Sequence, residues 1–148
     1  MKSCKFFGIA LLMAVITEVY PSVSLAQTTG NILVITTHKL SFPMDGRRSE
    51  LDSLVTEWWQ KVGSKVTHCV SAKVAVHYYS DDSRDWVEMI EYKSLADIEA
   101  ADKEIDELEK KVWPDKAQAR SFFMKIRKYY TGQHSDQIFR ILPALGKQ

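Results

Sequence analysis

Cysteine is scarce in this chain: only Cys4 and Cys69 occur in 148 residues, and neither belongs to a CxxC pair. Motifs that announce common chemistries are missing too. There is no HExxH, no GxSxG and no glycine-rich phosphate loop, and six glycines in all leave little room for one. The four histidines, His38, His68, His77 and His134, are dispersed rather than spaced as ligands, so no metal site is expected. An excess of charge of either sign is also lacking, with 20 Lys and Arg against 19 Asp and Glu. Such a chain has no global field to draw in nucleic acid or an anionic membrane.

The first 26 residues have the layout of a cleavable secretory leader. Lys2 and Lys5 make a short positive region, and an apolar stretch of eleven residues runs from Phe6 to Ile16. That is a suitable leader core and falls well short of the roughly 20 residues that span a bilayer. Glu18 and Pro21 interrupt it, and Ser24-Leu25-Ala26 supplies small side chains one and three positions before a cut. Cleavage is expected between Ala26 and Gln27. The alternatives are an uncleaved anchor or a buried strand.

Losing Lys2, Lys5 and Glu18 with the leader takes the basic and acidic residues to 18 each, so residues 27–148 are formally neutral. Cys4 leaves as well, and with Cys69 alone no intramolecular disulfide can form. Cys69 reads as a small buried hydrophobe in a strand, the alternative being a reactive thiol. The mature length suits a single domain with its own core, in a periplasmic or secreted protein with no membrane span after cleavage.

The run Asn31 to His38 is β-branched without alternation, which predicts a strand buried on both faces. After a turn at Pro43 and Asp45-Gly46, a helix is expected from the Ser49 and Asp52 capping spacing to a left-handed Gly63. Leu51, Leu54, Val55, Trp58 and Val62 form its apolar stripe, with Trp59 on the flank. Val66 to Tyr79 and the alternating residues from Trp86 to Tyr92 read as a hairpin around the polar tip Ser80 to Arg84. Ser94 and Asp97 open a second helix with Leu95, Ile98, Ala101, Ile105, Leu108 and Val112 at helical spacing, ended by Trp113-Pro114. A third helical segment from Asp115 to Tyr130 carries the basic residues Lys116, Arg120, Lys125, Arg127 and Lys128, which read as a solvated face or as partners for the acidic second helix. A polar turn, Gln133 to Asp136, then leads to a last strand, Gln137 to Leu142, closed by Pro143.

Strand, helix, strand, strand, two-piece helix, strand is the split βαβ order of the ferredoxin-like fold: an α+β, four-stranded antiparallel sheet with helices on one face. The first strand offers no polar face to water, so a second copy is expected over the open side of the sheet, making a homodimer. The run from Trp86 to Ala101, a strand entering Ser94-Leu95-Ala96-Asp97 and a long helix, resembles the dimeric α/β-barrel superfamily. Its antibiotic-biosynthesis-monooxygenase-like and stress-responsive barrel members pack two ferredoxin-like chains sheet to sheet. That resemblance spans about Asn31 to Leu142. It implies cofactor-free monooxygenases, haem-degrading enzymes, isomerases or proteins without known activity. The asparagine, tryptophan and histidine set of the haem-degrading group has no counterpart by motif.

Candidate chemistry lies at strand ends. His134, His77 and His38 are the candidate catalytic groups, and Tyr79, Trp86 and Tyr130 the candidate ligand contacts, at the mouth of an apolar cavity between sheet and helices. The competing reading makes Tyr79 and Trp86 a cross-strand packing pair and has His134 and Asp136 satisfy open backbone groups. Phe122, Phe123 and Trp58 would then fill the cavity. The expected role is an exported homodimer binding a small apolar or aromatic molecule, the alternative a cofactor-independent monooxygenase or isomerase. No cofactor is called for, since NAD(P)H and ATP are scarce outside the cytosol.

Overall fold

The computed structural model describes residues 30–79 and 81–146; the expected leader and Cys4 lie outside these residues. Strand β1 (Ile32–Leu40) is followed by helix α1 (Arg48–Lys61), the hairpin strands β2 (Cys69–Val76) and β3 (Asp85–Tyr92), helices α2 (Leu95–Val112) and α3 (Lys116–Arg127), and strand β4 (Tyr130–Arg140). All pairings are antiparallel, and the sheet order β2-β3-β1-β4 is the ferredoxin-like arrangement expected from the element order. Among the described residues no helix is long and apolar enough to cross a membrane.

Strand alternation divides the sheet into two faces. Ile32, Val34, Ile90 and Tyr92 pack with Ile98 and Ala101 of α2, while Leu40 and Trp86 pack with Leu51, Leu54 and Val55 of α1 and with Tyr129. The other face presents Leu33, Ile35, Val87, Met89 and Phe139, uncovered in the single chain. Full burial of β1 is therefore reached only at Ile32 and Leu40, and residues 33–39 are half-buried.

Helix α1 starts at Arg48, because Arg47 already has extended geometry (φ −127°, ψ 143°) and serves as N-cap without a side-chain bond. The expected capping box is thus inside the helix. The Ser49 carbonyl instead accepts the Ser53 hydroxyl (2.8 Å), and the Asp52 carboxylate accepts Arg48 Nε (2.8 Å). Gly63 is not left-handed either; among the described residues the only positive φ is 86° at Gly132. What Gly63 provides is space, since a Cβ there would lie 2.4 Å from the Trp59 ring and 2.8 Å from that of Trp58. Gly63→Ala is expected to lower unfolding free energy by about 1–3 kcal/mol through this crowding, measurable as a shifted urea midpoint.

The break between α2 and α3 falls at Trp113-Pro114, and the Asp115 carboxylate restarts the helix by accepting Ala117 N–H (2.7 Å) and Gln118 N–H (3.2 Å). Beyond α3 the chain departs from expectation. Residues 133–136 are no turn but the middle of β4, a continuous edge strand with a register shift opposite His38 and Leu40. Their polarity reflects an exposed edge, and ladder bonds with β1 override the local turn tendency. A Thr36 hydroxyl bond to Asp136 (2.8 Å) ties the two strands there. The hairpin is likewise shorter than expected: β2 ends at Val76, leaving His77 and Tyr79 beyond the ladder.

Candidate active site between sheet and helices

A cavity of about 790 Å³ lies between the covered face of the sheet and the helices. Its floor is strand-borne: Trp86, Glu88, Ile90 and Tyr92 from β3, every second residue as the pleat requires, and Cys69, Ala72, Lys73 and Val74 from β2, where the register shifts between Cys69 and Ser71. Its roof comes from Val55, Trp58 and Trp59 of α1, Ala101 and Ile105 of α2, and Phe123 and Ile126 of α3. Phe123 and Trp58 are walls of this space and do not fill it. Phe122 turns aside to stack on Trp113, with ring centroids 4.4 Å apart.

Few polar groups interrupt this lining. Trp86 is 4% exposed, and its indole N–H donates to Glu88 Oε1 at 2.8 Å. The Trp58 indole donates to Glu109 in the same way (2.8 Å). Burial, reinforced by the Glu88 charge, pushes the Tyr130 phenol well above its ordinary range, against a smaller opposing pull from Arg48. The Tyr92 phenol is pushed up to about 12, first by burial. Both phenols therefore stay protonated at neutral pH and act as neutral hydrogen-bonding groups. Cys69 is raised as well, by burial and then by the Glu91 charge, so it is a thiol rather than a nucleophilic thiolate.

Of the residues singled out from the sequence, Trp86 and Tyr130 line the cavity. His38 sits behind Tyr130, edge-on to its ring at 5.2 Å and 89°, and 5.8 Å from the ring of His134. His134 is on the exposed edge strand, where Nε2 lies 3.3 Å from Asp136 Oδ2 and Nδ1 3.4 Å from the Gly132 carbonyl. His77 is exposed, and Tyr79, at 97% exposure, is far from any packing role. The Tyr79 and Trp86 pair does not form, because Trp86 stands opposite Val76 in the ladder. Among the described residues no group of three or more His, Cys, Asp or Glu could hold a metal ion.

Sequence reasoning passed over Glu88, the only charged residue among the inward-facing positions of β3 that line the cavity. The signal was there to read, a carboxylate in the apolar alternation of Trp86, Ile90 and Tyr92. It also passed over Tyr129, fully buried beside the half-buried Tyr130, since either of two adjacent tyrosines suits the helical stripe.

No protein-family model matches the chain, and no curated protein matches it by sequence. Solved structures do match. A nipsnap family protein of unknown function from Agrobacterium tumefaciens superposes with a TM-score of 0.52 at 16% identity, over 77% of this chain and 90% of the other. A proposed antibiotic biosynthesis monooxygenase from Caulobacter crescentus gives 0.50 at 11% identity, over 77% and 92%. A dimeric protein of unknown function from Bacteroides fragilis gives 0.45 at 10%, over 76% and 97%. At these identities the likeness is one of architecture: the chain has the ferredoxin-like fold found in antibiotic-biosynthesis-monooxygenase-like proteins.

Proposed function

We propose that this chain is an exported, periplasmic or secreted homodimer that binds a small apolar or aromatic molecule in the cavity beneath its helices. One observation carries the binding reading: about 790 Å³ of aromatic-lined space is left open where large side chains were at hand to close it. Its size lies in the ordinary range of ligand pockets. The test is a titration with the uncharged fluorophore N-phenylnaphthylamine. Saturable binding is expected, and Ala72→Trp, which plugs the floor, is expected to weaken it at least about tenfold without loss of fold. Binding that ignores the plug, or no binding by the native chain, sinks the reading.

The second copy is supported by the open face of the sheet, where Leu33, Ile35, Met89 and Phe139 stand together. Native mass measurement of residues 27–148 at micromolar concentration is expected to give a dimer, and a well-folded monomer overturns this. Export is supported by the leader pattern of residues 1–26. Its check is the N-terminus of the mature protein, expected at Gln27.

A competing reading, a cofactor-independent monooxygenase or isomerase acting on a small aromatic substrate, is favoured by the presence of Glu88 and Tyr130 on the cavity wall. It requires turnover without added cofactor that Glu88→Gln abolishes at unchanged melting temperature.

A further inference from the structure

Glu88 stands where the alternation of β3 calls for an apolar side chain, with Trp86, Ile90 and Tyr92 beside it on the cavity floor. Glu88 is half-buried there, so apolar wall replaces part of its hydration, a cost that a positive charge beside it would offset. The Trp86 indole satisfies one lone pair at 2.8 Å but brings no positive charge. Among the described residues Glu88 forms no ion pair.

Nor do the other charged groups of the wall supply one. Asp52 is met by Arg48 at 2.8 Å, and Glu109 accepts the Trp58 indole. Lys73 is exposed and stands opposite Met89 in the ladder, while Glu88 stands opposite Val74. The Tyr130 phenol, kept protonated by burial, adds hydrogen-bonding capacity without charge.

Aromatic residues line the same cavity as this carboxylate: Trp58, Trp59, Trp86, Tyr92, Phe123 and Tyr130. The faces of such rings attract cations through their quadrupoles. This molecule already uses two indoles in that way, with Arg48 5.4 Å from the Trp86 ring centroid and Lys61 5.7 Å from that of Trp113.

We infer that the cavity selects a small organic cation, its ammonium head at Glu88 and its apolar body among Trp58, Trp59, Ile105 and Phe123. This rests on the reading of the cavity as a ligand site and narrows its ligand to one charge class. A neutral molecule of the same shape would leave the Glu88 charge unmet, and an anion would be repelled by it.

The experiment uses three probes of one skeleton, naphthylmethylammonium, naphthylmethanol and naphthoate, titrated calorimetrically into the full chain. The ammonium is expected to bind about tenfold tighter than the alcohol, with naphthoate weakest. Glu88→Gln, whose amide oxygen still accepts the Trp86 N–H, is expected to bring ammonium and alcohol to within about threefold while the alcohol keeps its affinity. Equal binding of ammonium and alcohol by the native chain, or tightest binding of naphthoate, overturns the charge selection and leaves the cavity a binding site. Failure of all three probes overturns both. The native ranking decides the matter even if the variant does not fold.

Discussion

Replacing Tyr129 with alanine is expected to lower the unfolding free energy by about 3–5 kcal/mol, the range for emptying a large aromatic site in a core. The side chain has no exposed surface and packs with Leu40, Leu51 and Trp86, so little around it can collapse into the space. It also joins three elements. Its phenol donates to Glu50 of α1 and accepts the Arg47 N–H at 3.2 Å, and its carbonyl accepts Ser41 N–H at 2.8 Å beyond β1. Tyr129→Phe keeps the ring and the backbone carbonyl bond and loses the two phenol contacts, for which about 1–3 kcal/mol is expected. Urea unfolding followed by far-ultraviolet circular dichroism distinguishes these values, and a phenylalanine variant as weak as the alanine variant contradicts the division.

The same contact makes stability depend on acid. The Tyr129 hydrogen bond, followed by Lys128, holds the Glu50 carboxyl below its ordinary value of 4.5 in the folded chain. A group depressed on folding contributes stability above its unfolded pKa and loses it as pH falls through its folded one. The melting temperature should therefore fall below about pH 4.5, and fall less steeply in Tyr129→Phe, where the largest cause is gone. Parallel profiles for the two proteins would contradict this.

The second large effect is at Trp86. Its alanine replacement is expected to cost about 3–5 kcal/mol, again from a nearly filled core position. It also frees Glu88, whose Oε1 is anchored by the indole, and removes the ring that Arg48 covers. Ligand affinity should fall with it. Trp86→Phe separates the two consequences, since most packing survives while the anchor is lost. Near-native urea stability with weakened probe binding is the expected result for phenylalanine, and unweakened binding would show that Glu88 needs no anchor.

Much of the architecture was legible in local patterns. The strand of β-branched residues at β1, the apolar spacing of α2 and the Trp113-Pro114 break each reflect interactions within one or two turns of chain, and each came out where the pattern put it. Misreadings arose where a distant partner outweighed the local signal. Gln133 to Asp136 looks like a turn, yet Thr36, Thr37 and His38 of β1 pair with Asp136, Ser135 and His134, so the segment is extended. Gly63 looks like a left-handed helix stop, whereas two tryptophan rings one turn back require its missing side chain.

The candidate site divides in the same way. Trp86 and Tyr130 could be chosen from sequence because aromatic residues near strand ends favour a sheet-to-helix boundary, but Tyr79, chosen by the same rule, lies beyond the end of β2 in solvent. Which of three similar residues reaches the cavity depends on where the hairpin ladder stops, a property of paired strands. Glu88 was visible as an inward carboxylate, though nothing local says whether the space above it is filled or open.

What the chain determined by itself, then, is the scarcity it begins with and the order of its elements. Two cysteines rule out a disulfide framework, balanced charge excludes a global field, and the hydrophobic periods set strands and helices in ferredoxin-like sequence. Only the tertiary structure decided that α1, α2 and α3 stand off the sheet far enough to leave a cavity, and that Glu88 and six aromatic residues line it together. Periodicity is a property of neighbours along the chain, whereas the space left between layers depends on how far apart packed elements come to rest, which side chains from all of them settle together.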